Sequence, residues 1–128
     1  MLFFNRGPGL TLLQMINVGA LGLSLYELSS NPDSNRGPLV TDALVHGLTT
    51  LSLRQGSNFL ENMGVSTLNV LRAGMVLQAA MTGDTLPIAV LAVDFALHSL
   101  NGLVSLLNGA NTPNVNDKDD TPSAAKNK

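Results

Sequence analysis

One apolar stretch in the C-terminal half of the chain carries its polar residues on a single narrow face. Between residues 94 and 108, polar side chains recur at steps of four, three, four and three, at Asp94, His98, Asn101, Ser105 and Asn108. Such steps place side chains on one face of an α-helix. A water-soluble bundle helix has the opposite pattern, with a narrow apolar stripe and a broad polar surface. We therefore predict that the polar face points toward partner helices and that the apolar remainder contacts lipid.

Three earlier apolar stretches have the same arrangement. Their polar faces are formed by Gln14, Asn17 and Ser24, by Asp42, His46 and Thr49, and by Ser66, Asn69 and Arg72. Turn-forming residues separate the stretches, and each stretch approaches the ~20 residues that a helix needs to cross a bilayer. The sequence predicts an all-α fold, an up-down-up-down four-helix transmembrane bundle in residues 1–108. The predicted helices are residues 9–29, 38–54, 65–82 and 85–107, the last with Thr85 as its N-cap.

Composition narrows the possible functions. Charged residues are 12% of the chain, against roughly 25% in ordinary soluble domains. Residues 109–128 are polar, and we predict a disordered, flexible tail there. With a net charge of −2 and no basic cluster, nucleic acid is not an expected partner. The chain has no cysteine, which excludes disulfides and thiolate chemistry, and no cofactor motif occurs, so no cofactor is predicted.

The distribution of basic residues favours one orientation in the membrane. Four crossings put both termini on one side, together with Arg6, Arg54, Lys118, Lys126 and Lys128. The opposite loops hold Arg36 with two aspartates, so we predict termini in the cytoplasm or an organelle interior.

Two alternatives to a four-helix membrane bundle stay open. Residues 1–29 can be a cleaved signal peptide, and the modest hydropathy of the middle stretches also fits a soluble bundle.

A weak internal repeat relates the two halves of the chain. The segment LVTDALVHGLTTL from Leu39 aligns without gaps on LAVDFALHSLNGL from Leu91. This predicts a duplicated helical hairpin with a pseudo-twofold axis along the membrane normal. The second and fourth helices would then lie parallel across the diagonal of the bundle.

The upstream helices align in a register that pairs Gln14 with Asn69 and Asn17 with Arg72. Small residues allow helices in a membrane to approach closely. We therefore expect close helix contacts at Gly19, Gly22 and Gly74.

Two aspartate–histidine pairs are candidates for catalysis. Asp42 and His46, and likewise Asp94 and His98, stand one helical turn apart, where a carboxylate can bond an imidazole and fix its tautomer. We predict these four residues as an acid–base site. Two imidazoles and two carboxylates could also ligate a metal, but the spacing is not that of carboxylate-bridged bundles, and no metal is predicted.

Other polar residues of the predicted bundle would surround this site. Arg72 lies near mid-depth and is expected to pair with Asp42 or Asp94. The residues predicted to contact a ligand are Arg72, Asn17, Asn69 and Asn101.

With TDALVHGL in its second helix and VDFALHSL in its fourth, the chain resembles the DoxX-like group of small membrane proteins over most of residues 5–108. The resemblance implies a bundle of four short spans from a doubled hairpin. It implies fold more than activity, because members of that group are mostly of unclear or accessory function.

The leading hypothesis is that the bundle binds a hydrophobic small molecule and performs acid–base chemistry on it, such as isomerisation or cyclisation. The expected partners are the lipid bilayer, that small molecule, and a homo-oligomer or larger membrane complex. Two alternatives stay open. The chain can be a non-catalytic subunit or assembly factor whose polar stripe supports helix packing, or the stripe can conduct protons or ions.

Overall fold

The computed structural model describes residues 7–33, 36–83 and 86–112. Every regular element within these ranges is an α-helix: α1 (Pro8–Ser30), α2 (Arg36–Ser52), α3 (Phe59–Thr82) and α4 (Ile88–Ala110). The all-helical prediction is confirmed for these residues. The first two helices also lie within one or two residues of their predicted bounds.

The predicted start of α3 at residue 65 is wrong, because the helix begins at Phe59. Asn58 and Glu61 form a reciprocal capping box, in which the Asn58 side chain accepts from Glu61 N at 2.9 Å and Glu61 Oε2 accepts from Asn58 N at 3.3 Å. These bonds satisfy backbone donors that the first turn leaves without partners. The helix ends at Thr82 and is capped by Gly83, whose φ of 77° is the left-handed conformation that favours glycine.

The fourth helix is displaced from its predicted bounds at both ends. It begins at Ile88 with Pro87 at the N-cap position, and Thr85 lies outside the described residues. It continues to Ala110, so the first residues of the predicted tail are helical. Residues 113–128 of that tail lie outside the described part of the chain.

The helices pack as two hairpins, α1 with α2 and α3 with α4. In the first, Gln14 bonds the carbonyl of Thr50 and Asn17 bonds His46. Residue numbers therefore rise along α1 as they fall along α2, and the two helices are antiparallel. Helix α2 also contacts both α3 and α4, which joins the hairpins into one bundle.

Close helix contacts occur at glycines other than those predicted. A Cβ added at Gly102 would lie 3.3 Å from Val70 Cγ2, and one at Gly109 would lie 3.0 Å from Asn62 Cβ. Each of the predicted positions, Gly19, Gly22 and Gly74, has nothing within 4 Å of an added Cβ. The prediction of close contacts there is wrong, since these glycines do not face a neighbouring helix.

The interior of the bundle is mainly polar and its surface mainly apolar. Fully buried side chains include Gln14, Asn17, Asn62, Asn69 and Asn101. The exposed side chains include many Leu, Val, Ile, Met and Phe residues of all four helices, such as Leu23, Leu60, Met81 and Ile88. The prediction of an inward polar face is confirmed, and water-soluble proteins have the opposite distribution.

The two hairpins repeat the same hydrogen bonds. The bond between His46 and Asn17 spans 29 residues, as does the bond between His98 and Asn69. The bonds from Gln14 to the Thr50 carbonyl and from Ser66 to the Gly102 carbonyl both span 36 residues. Equivalent positions are thus 52 residues apart, since 69 exceeds 17 by 52 and 98 exceeds 46 by the same number. Asn17 corresponds to Asn69 rather than to Arg72, so the predicted register of the upstream helices is wrong by three residues.

Candidate functional site

Each histidine of the bundle is bonded to an asparagine of its own hairpin. His46 Nδ1 lies 2.8 Å from Asn17 Oδ1, and His98 Nδ1 lies 2.9 Å from Asn69 Oδ1. All four side chains are buried. We refer to these two pairs as the amide–imidazole clamps.

The clamps determine which ring nitrogen carries the proton. Nδ2 of Asn17 donates to the carbonyl of Leu13, and Nδ2 of Asn69 donates to the carbonyl of Val65. A carbonyl oxygen only accepts, so the amide nitrogen must face it and Oδ1 must face the imidazole. Because Oδ1 also only accepts, Nδ1 of each histidine carries a proton. In a neutral ring the lone pair is then on Nε2.

Nε2 of His98 faces two carboxylates. It lies 3.3 Å from Asp94 Oδ1 and 3.5 Å from Asp42 Oδ1. Among the described residues, it is one of two buried side-chain atoms without a hydrogen-bond partner. The ring of His46 stacks on that of His98, with centroids 4.8 Å apart and an interplanar angle of 21°. A lone pair beside two negative groups favours a proton, a cation or a ligand donor as the partner of Nε2.

Arg72 of α3 also contacts both carboxylates. Its Nε donates to Asp42 Oδ1 and its Nη2 to Asp42 Oδ2 at 3.0 Å. Nη2 also lies 3.7 Å from Asp94 Oδ2. A guanidinium that binds a carboxylate through two parallel bonds fixes its orientation. The predicted pairing of Arg72 with an aspartate is confirmed.

The cluster is more accessible from one end of the bundle. Asp42 and Asp94 each stand six positions after the first residue of their helix, about 9 Å along the axis at ~1.5 Å per residue. Their side chains are 16% and 25% exposed, whereas that of His98 is 0% exposed. The carboxylates therefore lie nearer to solvent, and the imidazoles lie one turn deeper.

Beyond the histidines, the interior consists of hydrogen-bonded amides. Asn17 and Asn101 exchange two bonds of 2.9 and 2.8 Å, and Asn69 Nδ2 donates to Thr49 Oγ1 at 2.8 Å. The amide groups of the three asparagines that we predicted to bind a ligand are thus already hydrogen-bonded within the protein. Their contact with a ligand stays a prediction, and it would require these bonds to be exchanged.

A second polar cluster lies toward the other end of the bundle and contains no charged side chain. Asn108 Nδ2 donates to Asn62 Oδ1 at 3.0 Å, and Asn62 Nδ2 donates to Ser57 Oγ at 3.0 Å. The buried hydroxyl of Ser105 has no hydrogen-bond partner among the described residues. The charges of the interior are therefore concentrated in the first cluster.

The four predicted catalytic residues lie together, but not as two separate pairs. Asp94 contacts His98 one turn along α4, as predicted. Asp42 contacts His98 of the other hairpin at 3.5 Å, and no ion-pair contact joins it to His46 in the described part of the chain. The expectation that Asp42 orients His46 is wrong, because the stacked rings place His98 nearer to both carboxylates.

The sequence interpretation missed the amide–imidazole clamps. It assigned the orienting role to the carboxylates and placed Asn17 and Asn69 among ligand-binding residues. The signal was an asparagine 29 residues before each histidine. The incorrect register of the upstream helices concealed this signal.

One groove lies between the two helices of each hairpin, away from the charged cluster. One has a volume of about 280 Å³ and is lined by residues of α3 and α4, including Val70, Ala73 and Gly102. The other has a volume of about 400 Å³ and is lined by residues of α1 and α2, including Val18 and Leu21. Val18 and Leu21 are the equivalents of Val70 and Ala73, so the repeat extends to these surfaces.

Comparison of the chain with protein-family models, curated proteins and solved structures found no match. The resemblance to DoxX-like proteins therefore stays a prediction, and any functional argument depends on the geometry of the cluster.

Proposed function

We propose that this chain is an integral membrane protein whose four helices cross the bilayer as an up-and-down bundle, formed from a duplicated hairpin. The supporting observation is its polar interior and apolar surface, an arrangement that is favourable when the surrounding solvent is lipid. Helices α1 and α4 are long and apolar enough to cross a membrane. Helices α2 and α3 are less apolar and would cross with their polar faces covered by the other helices.

Both termini would lie on the cytoplasmic side, or inside an organelle. The chain contains no cysteine, so single-cysteine variants can test this arrangement. In sealed vesicles of known orientation, a membrane-impermeant maleimide should label Ser30→Cys, at the end of α1, from the side opposite to Thr112→Cys, just after α4. Labelling of both from the same side would contradict four crossings, and loss of the chain from the membrane in carbonate would contradict insertion.

The central cluster is the binding site for the polar group of a hydrophobic small molecule, on which it performs acid–base chemistry. The observation that carries this proposal is the buried Nε2 of His98, which faces Asp42 and Asp94 and lacks a hydrogen-bond partner. Imidazole and carboxylate side chains are the groups that most often move protons in enzymes. An isomerisation or cyclisation needs a proton removed at one atom and returned at another, and this cluster contains groups suited to both steps.

The test uses the purified chain in detergent and a total lipid extract of the membranes in which it is expressed. The wild-type protein should retain or convert a specific component, detected by mass spectrometry. The double variant His46→Ala/His98→Ala should lose this effect, whereas Ser105→Ala should keep it, because that hydroxyl is buried but lies outside the cluster. If the double variant acts on the extract as the wild type does, the catalytic proposal fails.

A non-catalytic subunit of a membrane complex is the second candidate. It is favoured by the amide network, because the clamps and the Asn17–Asn101 pair form a hydrogen-bonded core suited to helix packing. This candidate predicts stable co-purification with a larger complex and no retained small molecule. Proton conduction is less well supported, because the clamps end in amides, which have no titratable group to pass a proton on.

A further inference from the structure

We propose that Asp42, His46, Asp94 and His98 bind one divalent first-row transition-metal ion. One possible ligand atom from each of these residues lies within 4.8 Å of all the others. Four ligands at about 2.1 Å from an ion in tetrahedral coordination would be about 3.4 Å apart. The distances of 3.3 and 3.5 Å from His98 Nε2 to the two Oδ1 atoms are close to this separation.

The histidines are prepared for coordination through Nε2. A metal-bound histidine almost always donates its other ring N–H to a carbonyl or carboxylate oxygen, which fixes the ring and its tautomer. Asn17 and Asn69 provide such acceptors at 2.8 and 2.9 Å. A purely structural histidine would be expected to use both ring nitrogens, but Nε2 of His98 is buried without a hydrogen bond.

The carboxylates are held in a comparable way. Nη2 of Arg72 lies beside the Oδ2 atoms of Asp42 and Asp94, at 3.0 and 3.7 Å. The Oδ1 atom of each aspartate faces His98. That of Asp42 also accepts from Nε of Arg72, a bond that it would share with the ion or exchange for it. Metal-binding carboxylates are commonly hydrogen-bonded through such outer contacts, so Arg72 is a positioning residue.

The donor set indicates the class of ion. Imidazole favours Zn²⁺, Fe²⁺, Co²⁺ and their neighbours, whereas Mg²⁺ and Ca²⁺ prefer sites made of oxygen alone. Two nitrogens and two oxygens therefore fit a transition-metal ion. The chain has no thiolate that could compete for it.

The charge of the cluster indicates what the ion would bind. With neutral imidazoles, two carboxylates and one guanidinium give a net charge of minus one, and a divalent ion changes this to plus one. A buried charge is unfavourable unless it is compensated, so a hydroxide or an anionic oxygen of a ligand would neutralise the site. With the imidazoles and carboxylates bound to the ion, such a hydroxide would replace Nε2 of His98 as the base of the proposed chemistry. This role rests on the proposed function, and it makes the small molecule one with an ionisable hydroxyl or carboxyl group.

Cobalt binding tests the proposal. The full-length chain is purified in detergent, treated with a chelator, and titrated with CoCl₂ while visible absorption and heat are recorded. One Co²⁺ per chain should bind, with absorption typical of four or five nitrogen and oxygen ligands, and Zn²⁺ should displace it. A wild-type protein that binds no ion, or binds one only at millimolar concentration, would overturn the proposal regardless of how any variant folds.

Matched variants identify the ligands and their supports. His98→Ala and Asp94→Asn should abolish stoichiometric binding, and binding unchanged in both would overturn the assignment. Asn69→Ala should weaken binding by about 10- to 100-fold, as expected for loss of a contact to a ligand. Asn62→Ala, at a buried asparagine on the same helix that bonds Ser57 instead of a histidine, should bind as the wild type does.

The outcome can be separated from that of the proposed function. If the wild-type protein binds no ion but converts or retains a lipid component, the metal assignment fails and the function stands. If it binds one ion but acts on no component, the metal site stands and the acid–base function fails.

Discussion

The two hairpins share the bonds of their clamps but differ at a position that determines the chemistry of the cluster. Each contains a histidine clamped by an asparagine and an aspartate one turn before that histidine. Arg72 of α3, however, corresponds to Ala20 of α1, which lies the same 52 positions earlier. The repeated residues build the scaffold, and the single arginine makes the cluster asymmetric, because it bonds Asp42 through two atoms and leaves Asp94 more exposed.

The largest effect should follow from removing that arginine. Arg72→Ala leaves two partly buried carboxylates without their cation, and loss of one partner of a buried ion pair typically costs about 3–5 kcal/mol. Chemical unfolding in mixed detergent micelles would measure the loss. Arg54→Ala, which breaks the more exposed pair with Glu61, should cost no more than about 1 kcal/mol.

A second substitution distinguishes charge from packing at Arg72. If the carboxylates cause the instability, Arg72→Ala combined with Asp42→Asn should recover part of the lost stability. Equal stability of Arg72→Ala and Arg54→Ala would contradict the inference that Arg72 stabilises the buried carboxylates and so distinguishes the second hairpin from the first.

The clamps should contribute unequally although they look alike. Asn17→Ala leaves both the His46 Nδ1 and the Asn101 amide without partners. Asn69→Ala leaves the His98 Nδ1 unpaired, while Thr49 keeps its bond to the Val45 carbonyl. Each buried group left unpaired costs about 1–3 kcal/mol, so Asn17→Ala should be the more destabilising in the same unfolding assay. The reverse order would mean that the second hairpin carries more of the stability.

Glycine substitutions test how closely α3 and α4 pack in the second hairpin. Gly109→Ala should destabilise the bundle by about 1–3 kcal/mol, because the new Cβ would lie 3.0 Å from Asn62 Cβ. Gly74→Ala, with nothing within 4 Å of the added atom, should leave stability unchanged or raise it by up to about 1 kcal/mol through helix propensity. Thermal unfolding in detergent would rank them, and equal effects would contradict the close approach of α3 and α4.

Periodicity alone predicted the inward polar faces and most of the helical residues, because a face is fixed by spacing within one helix. It could not fix the partners across helices. Whether Asp42 contacts His46 or His98 depends on how α2 and α4 are rotated against each other, and no local signal reports that rotation.

The errors at helix ends have a different origin. The start of α3 depends on the reciprocal bonds of Asn58 and Glu61, which lie in the segment between the second and third predicted helices. The register of α1 against α3 was aligned on residue types, and the true register is apparent only when Asn17 and Asn69 are seen to bond equivalent histidines.

The smallest effect on stability is expected at Ser105, where a polar group is buried without a hydrogen-bond partner within the described ranges. Ser105 corresponds to Leu53, which is fully buried, and its own buried hydroxyl has no partner in the described part of the chain. Ser105→Ala removes an unsatisfied group, so stability should stay the same or rise by up to about 1 kcal/mol.

Ser66→Ala is the matched control. It removes a hydroxyl that donates to the Gly102 carbonyl at 2.8 Å, and it should cost about 0.5–1.5 kcal/mol. Because both changes remove one oxygen atom from a buried serine, a difference between them in the unfolding assay isolates the hydrogen bond. A clear loss of stability in Ser105→Ala would instead mean that the Ser105 hydroxyl binds water or a ligand at the uncharged end of the bundle. Both ends of the interior would then have a polar group suited to an external partner, and the charged cluster would not be the only such place among the described residues.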